Sequence, residues 1–274
     1  MQPARAALAG VLAIAVLGGG AGLWWRYENG AAPADEILPT PPEPPRLADA
    51  PEYDRCLAML DDDPQGARLF ADSWAQMGGG EGAEHCAALA TLSLGGAERA
   101  AAELERIASR SQAGLAARAA VFGQAGEAWL AANDPQRAHA AVTLALALAP
   151  NDPDLLVQRA SASLAIDRPG EALADLDRAT QLDPNRAEAW VLRAGALRRQ
   201  DRVEAASQDI ARALMLQPEN PEALLERGII RQLRGDTAGA RADWERAIVL
   251  APDSPAADLA AQNLALNEAG PQRR

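Results

Sequence analysis

The sequence predicts an all-α fold, an α-solenoid of stacked helix–turn–helix units, from three observations. The first is a period: Pro150, Pro184, Pro218 and Pro252 stand 34 residues apart, each two residues after a leucine, Leu148, Leu182, Leu216 or Leu250. The second is that two sets of alanines keep the same phase, Ala138, Ala172, Ala206 and Ala240, then Ala145, Ala179, Ala213 and Ala247. The third is composition: 49% of residues are hydrophobic but only 4% aromatic, which suits close-packed helices with small contact residues. Self-similarity at this period marks supersecondary units that bury their apolar faces only by stacking.

In chain order, residues 1–26 hold a candidate signal-anchor. Ala6 to Trp25 carries no charge over 20 residues, and as a helix would extend about 30 Å, enough to cross a bilayer. Trp24 and Trp25 before Arg26 resemble an interfacial aromatic anchor, which favours an uncleaved single-pass span; a cleaved signal peptide is the alternative. A short segment ahead of a first span stays in the cytoplasm, so the rest is expected in the periplasm of a bacterium, either tethered to the inner membrane or, after cleavage, soluble. Residues 27–51 form a linker whose stretch from Pro33 to Pro51 contains seven prolines and favours extended polyproline II.

Residues 52–118 keep helical spacing with poor punctuation. Asp63-Pro64 can cap and start a helix, Gly78 to Gly80 close it, and Gly95-Gly96 divide a further antiparallel pair. If Ala100 takes the place of the mid-repeat alanine, a degenerate unit runs from Glu81 to Gly114, followed by about four extra residues. Cys56 and Cys86 fall on neighbouring helices here. In an exported protein a disulfide between them would close a loop of about 30 residues, worth roughly 3–4 kcal/mol; two buried free cysteines are the other reading. His85 reads as a surface or cap residue, since no third group is seen to orient it as a base.

Four regular units follow, 119–152, 153–186, 187–220 and 221–254, and then a capping helix with a tail, 255–274. Each unit breaks near its middle, at Asn133-Asp134, Asp167-Arg168, Asp201-Arg202 and Gly235-Asp236, where turn and N-cap residues stand. The terminal proline stops the second helix. Trp129 and Trp244 fall on packing positions. Arg159, Arg193 and Arg227 each precede an aspartate by 16 residues, Asp175, Asp209 and Asp243; in the first unit both partners are absent together, leaving Ala125 and Ala141. Joint presence and joint absence predict ion pairs between the two helices of a unit, for which the planar guanidinium fork is suited.

With Trp190 and Phe122 at the fourth position, Gly126, Ala160, Ala194 and Gly228 at the eighth, and the recurring alanines and proline, the chain resembles the tetratricopeptide repeat family. The resemblance covers residues 119–254 and weakens upstream to about Glu81. It implies a right-handed superhelix whose first helices line a concave groove that receives a protein or peptide. Carried onto this chain, the inward positions 2, 5, 9 and 12 give Asp154, Val157, Ser161 and Leu164; Glu188, Val191, Gly195 and Arg198; Glu222, Leu225, Ile229 and Gln232. The groove would be apolar along its middle and acidic at one edge. The family's basic and asparagine clamp for a terminal carboxylate is missing, because position 5 is Gly123, Val157, Val191 and Leu225.

The formal net charge of −12, with all 26 basic residues arginine and no basic stripe, disfavours nucleic acid as a partner. Two cysteines and two histidines do not make a closed metal site, and no phosphate loop or nucleophile elbow is present, so no metal, cofactor or small-molecule substrate is expected. The expected function is a non-enzymatic, membrane-tethered periplasmic scaffold for protein–protein interaction, with a role in envelope complex assembly. The alternatives are an enzyme with its site in residues 52–114 and a self-associating structural repeat protein.

Overall fold

A computed structural model describes residues 46–269 of the chain. The candidate span at Ala6–Trp25, most of the proline-rich stretch and residues 270–274 lie outside the described residues. The described residues, 46–269, form thirteen α-helices and no strand. Among them no helix is long and apolar enough to cross a membrane.

The front comprises α1 (Pro51–Ala58), α2 (Pro64–Gln76), α3 (Gly80–Ser93) and α4 (Ala97–Arg110). The array continues as α5 (Leu115–Ala131) with α6 (Pro135–Leu148), α7 (Pro153–Ala165) with α8 (Pro169–Leu182), α9 (Ala187–Arg199) with α10 (Val203–Leu216), and α11 (Pro221–Leu233) with α12 (Thr237–Leu250), closed by α13 (Pro255–Ala269). Every second helix from α4 to α12 has 14 residues, and the first helices α7, α9 and α11 have 13. The first helix α5 has 17, so the four residues inserted before the regular array become one more helical turn. The array absorbs the insertion without losing phase.

The mid-unit turn is built the same way each time. Asn133, Asp167 and Asp201 adopt positive φ, between 56° and 58°, and Gly235 and Gly95 take the same role at 84° and 86°. Among residues with a side chain, asparagine and aspartate best tolerate this left-handed conformation. It lets the next amide turn back: Asp134 N–H donates to the Trp129 carbonyl, Arg168 to Ser163, Arg202 to Leu197 and Asp236 to Arg231, at 2.8–3.0 Å. These bonds satisfy carbonyls that the helix end would otherwise leave open. Asp134 and Asp236 then cap the second helices through Arg137 N and Gly239 N.

Each helix packs on the next in sequence, and the first helices α5, α7, α9, α11 and α13 also pack on one another in turn. Close approach at the pivots needs small residues. A Cβ at Gly228 would lie 2.3 Å from Trp244 Nε1, and one at Gly126 would lie 2.4 Å from a Val142 methyl. Trp129 and Trp244 are fully buried, and the Trp244 indole donates to the Leu225 carbonyl at 3.2 Å. The main core runs continuously from Ala88 to Ile210 and Ile230, whereas Leu224, Leu225, Trp244 and Ala256 belong to a separate C-terminal cluster. The two clusters meet within α11, whose Ile230 belongs to the main core and whose Leu224 and Leu225 belong to the C-terminal one, and Leu214 of α10 packs on both.

Candidate interaction face and its supports

Three arginines clamp three aspartates within the units. Arg159 donates through Nε and Nη2 to the two oxygens of Asp175 at 2.8 and 2.6 Å, Arg193 to Asp209 at 2.8 and 2.7 Å, and Arg227 to Asp243 at 2.9 and 2.6 Å. All three aspartates are buried, and the guanidinium forks meet both oxygens of each. The hydrogen bonds to Asp175 and Asp209 raise the Arg159 and Arg193 guanidinia further above their ordinary value. In the first unit Ala125 and Ala141 fill the same place as buried apolar contacts. Arg193 has further partners, donating to Thr180 at 3.1 Å and Asp177 at 3.3 Å and lying over the Trp190 ring at 4.5 Å.

The inward positions divide into two groups. Val157, Leu164 and Leu225 are buried at 2%, 8% and 8% exposure, which corrects their expected place on a binding surface. The physical reason is the packing of first helix on first helix, which covers these side chains with the neighbouring unit. Ser161, Val191, Arg198 and Ile229 stay partly exposed, and Glu188, Glu222 and Gln232 are exposed. A Cβ added at Gly195 would meet nothing within 4 Å, so the face opens to solvent at the middle of α9. Between α9 and α11 it deepens into a cleft of about 430 Å³ lined by Glu188, Val191, Leu192, Gln217, Asn220 and Glu222.

Electrostatics along this face are acidic. Desolvation, followed by the charges of Glu188 and Asp154, pushes the Glu127 carboxyl above its usual range, which places three carboxylates from successive units within mutual influence. Arg186 bridges to Asp154 and lies 3.8 Å from Glu188, so the edge is partly neutralised on its α9 side. Arg198 donates to Glu226 of the next unit at 2.5 and 3.2 Å, and Gln158 donates to Glu127 at 2.6 Å. Those bonds between units occur at unequal spacings, 28 and 31 residues, and no repeat pattern marks them.

The front section contains a buried polar bridge that the sequence does not reveal. The Tyr53 hydroxyl meets His85 Nδ1 at 2.6 Å, and His85 Nε2 meets Gln124 Oε1 at 2.6 Å. Gln124 Oε1 can only accept, so Nε2 carries the proton and the tyrosine donates to Nδ1. His85 is 3% exposed, which corrects its expected place at the surface: three helices, α1, α3 and α5, meet on its ring. Burial lowers its pKa from 6.5 and raises that of Tyr53 to about 12. Cys56 and Cys86 form a disulfide beside this bridge, joining α1 to α3. With every polar atom of the ring engaged and burial around it, the bridge fastens helices and presents no nucleophile.

This architecture defines a helical-repeat solenoid with an accessible, partly acidic face along its first helices. The family model described as tetratricopeptide repeat matches residues 192–265. No curated protein sequence matches the chain. Solved structures share the fold. A chain of the APC/C hetero-tetramer Cut9-Hcn1 is 14% identical with a TM-score of 0.62 over 79% of this chain and 42% of its own, so this chain spans less than half its length. PilF of Pseudomonas aeruginosa is 16% identical with a TM-score of 0.60, covering 77% of this chain and 96% of its own. A MamA double mutant is 22% identical with a TM-score of 0.51, covering 61% and 93%.

Proposed function

We propose that the chain is a bacterial, membrane-tethered periplasmic scaffold that receives a segment of another protein along its first-helix face and so takes part in assembling envelope complexes. The observation that carries this reading is the accessible stretch from Ser161 through Val191 and Gly195 to Ile229. Stacking leaves these inward residues open, and Glu188 and Glu222 flank the cleft between their helices. A groove with apolar side chains and carboxylates at its margin suits an amphipathic or extended segment that supplies apolar anchors and basic or neutral neighbours. The disulfide supports export, because structural disulfides persist in oxidising compartments. The uncharged stretch at Ala6–Trp25 supplies the tether.

A photo-crosslinking residue placed at Val191 or Ile229 in intact cells tests the proposal, with Met215, an exposed residue of the second helix α10, as control. A foreign chain captured at Val191 and Ile229 but not at Met215 is the expected result. Crosslinks to copies of this chain alone would replace the scaffold with self-association, and equal capture at all three positions would remove the groove from consideration.

A further inference from the structure

We infer that the seam between α10 and α11 holds a binding site for a carboxylate ligand, at a place the neighbouring seam fills with its own aspartate. Because the array repeats, corresponding positions can be compared from seam to seam. At the seam between α8 and α9, Leu173 and Leu197 are buried in the main core, and Arg193, having clamped Asp209, uses Nη1 to hold Asp177 and Thr180. One unit later the corresponding residues are Ser207, Arg231, Ala211 and Leu214. Two core leucines have become polar, and the carboxylate and hydroxyl that engaged the arginine have gone. The seam between α6 and α7 also lacks the leucine pair and the aspartate, with His139, Ser163 and Thr143 at those positions; what sets the seam between α10 and α11 apart is Arg231 and Arg234, where the two preceding seams have Leu197 and Gln200, and Ser163 and Ile166.

The result is a cavity of about 300 Å³. Its apolar side is Ile210, Ala211 and Ile230, and its polar side is Ser207, Arg227, Arg231 and Arg234, with Asp236 at the margin. Arg227 keeps its fork on Asp243, but its Nη1 makes no hydrogen bond among the described residues. Arg231 shares Asp243 at 2.7 Å and reaches the Gly239 carbonyl at 3.2 Å, and among the described residues Arg234 reaches only Ser207 Oγ, at 3.2 Å. Three guanidinia therefore face two carboxylates, Asp243 and Asp236, which leaves one positive charge uncompensated. A single carboxylate with an apolar body balances that charge, meets the Nη1 that Asp177 would occupy and lays its body on the isoleucines. A phosphate dianion carries more charge than the site offers. Two sources share this chemistry, a free small organic acid and the C-terminus of a protein chain, and the site lies apart from the groove residues discussed above.

Methyl NMR on the full chain, reading the Ile210 and Ile230 resonances, tests the inference with three probes: benzoate, inorganic phosphate, and a short apolar peptide with either a free or an amidated C-terminus. Benzoate or the free-ended peptide is expected to shift both methyls saturably. Tighter binding of the free-ended peptide than of benzoate assigns the site to a chain terminus, and the reverse to a free acid. Ala211→Asp restores the preceding seam's own carboxylate at an exposed helix position, and Arg234→Gln restores the residue found at Gln200. Each should weaken binding about ten-fold or more, the equivalent of one charge-assisted hydrogen bond, with an unchanged helical signal. Absence of saturable shifts with both carboxylate probes, binding of phosphate alone, or undiminished binding by Ala211→Asp would overturn the inference.

Discussion

Truncating Arg193 probes what holds the two helices of a unit together. Its fork satisfies both oxygens of Asp209, a residue 5% exposed, while the arginine side chain itself is 21% exposed. Arg193→Ala leaves the carboxylate buried among α9 and α10 with no cation. Breaking one side of a buried pair costs about 3–5 kcal/mol, and because water can reach the site along the exposed edge of Arg193 the lower end applies, about 3 kcal/mol. For a domain of this size that corresponds to a fall of roughly 6–12 °C in melting temperature. Asp209→Ala removes the stranded charge, so the double variant should recover much of the loss, giving a coupling energy of about 2 kcal/mol. The first unit, with Ala125 and Ala141 both buried at this place, shows that the array accommodates the apolar version. Denaturant unfolding followed by far-ultraviolet circular dichroism gives the energies, and hydrogen exchange on α9 and α10 localises them. A loss below about 0.5 kcal/mol, or strict additivity of the two single variants, would refute the reasoning.

Reduction of the Cys56–Cys86 disulfide, which closes a sequence separation of 30, should cost about 3–4 kcal/mol by chain entropy, seen as earlier exchange of amides in α1 and α2. Stability should also fall at both ends of the pH scale through the buried bridge. His85 has a folded pKa below its ordinary 6.5, so the unfolded chain takes up the proton first and stability declines as pH falls below about 6.5. Tyr53 has a folded pKa raised from 10.0 to about 12, so the folded chain keeps its proton longer and stability declines as pH rises from 10 towards 12. His85→Gln should flatten the acid limb in a urea titration, and Tyr53→Phe the part of the alkaline limb this phenol contributes. Gly228→Ala, whose new methyl would overlap the Trp244 indole, should destabilise the C-terminal cluster by about 1–3 kcal/mol and shift tryptophan fluorescence, whereas Gly195→Ala, facing open space, should not.

Much of the fold is legible in the sequence because stacking imposes one rule on every unit. The prolines, alanines and turn residues such as Asp167 and Asp201 answer the same geometric demand each time, so the demand appears as a period. The arginine–aspartate clamps are visible for the same reason, since both partners belong to one unit and share its spacing of 16 residues. Contacts made once leave no such mark. Tyr53 and His85 lie 32 residues apart in the irregular section and Gln124 a further 39 residues on, in the first regular unit, and only the packing of α1 and α5 against α3 brings them onto one ring. The face along the first helices is legible in outline but not residue by residue. Position 5 is covered at Val157 and Leu225 and partly open at Val191, because cover depends on the neighbouring helix rather than on the residue's own register.

The disulfide also determines how the molecule carries a mechanical load. A pull on the chain ahead of Cys56 leaves the backbone there, crosses the sulfur bridge and re-enters at Cys86, so the backbone of residues 57–85 lies outside the covalent tension path. Ahead of the bridge Tyr53 bears force through its bond to His85, and beyond it the load enters α3, which is packed against α4 and tied to α5 through His85 and Gln124. Oxidised, the front transmits tension directly into the array; reduced, α1 and then α2 would peel away before the repeats felt it.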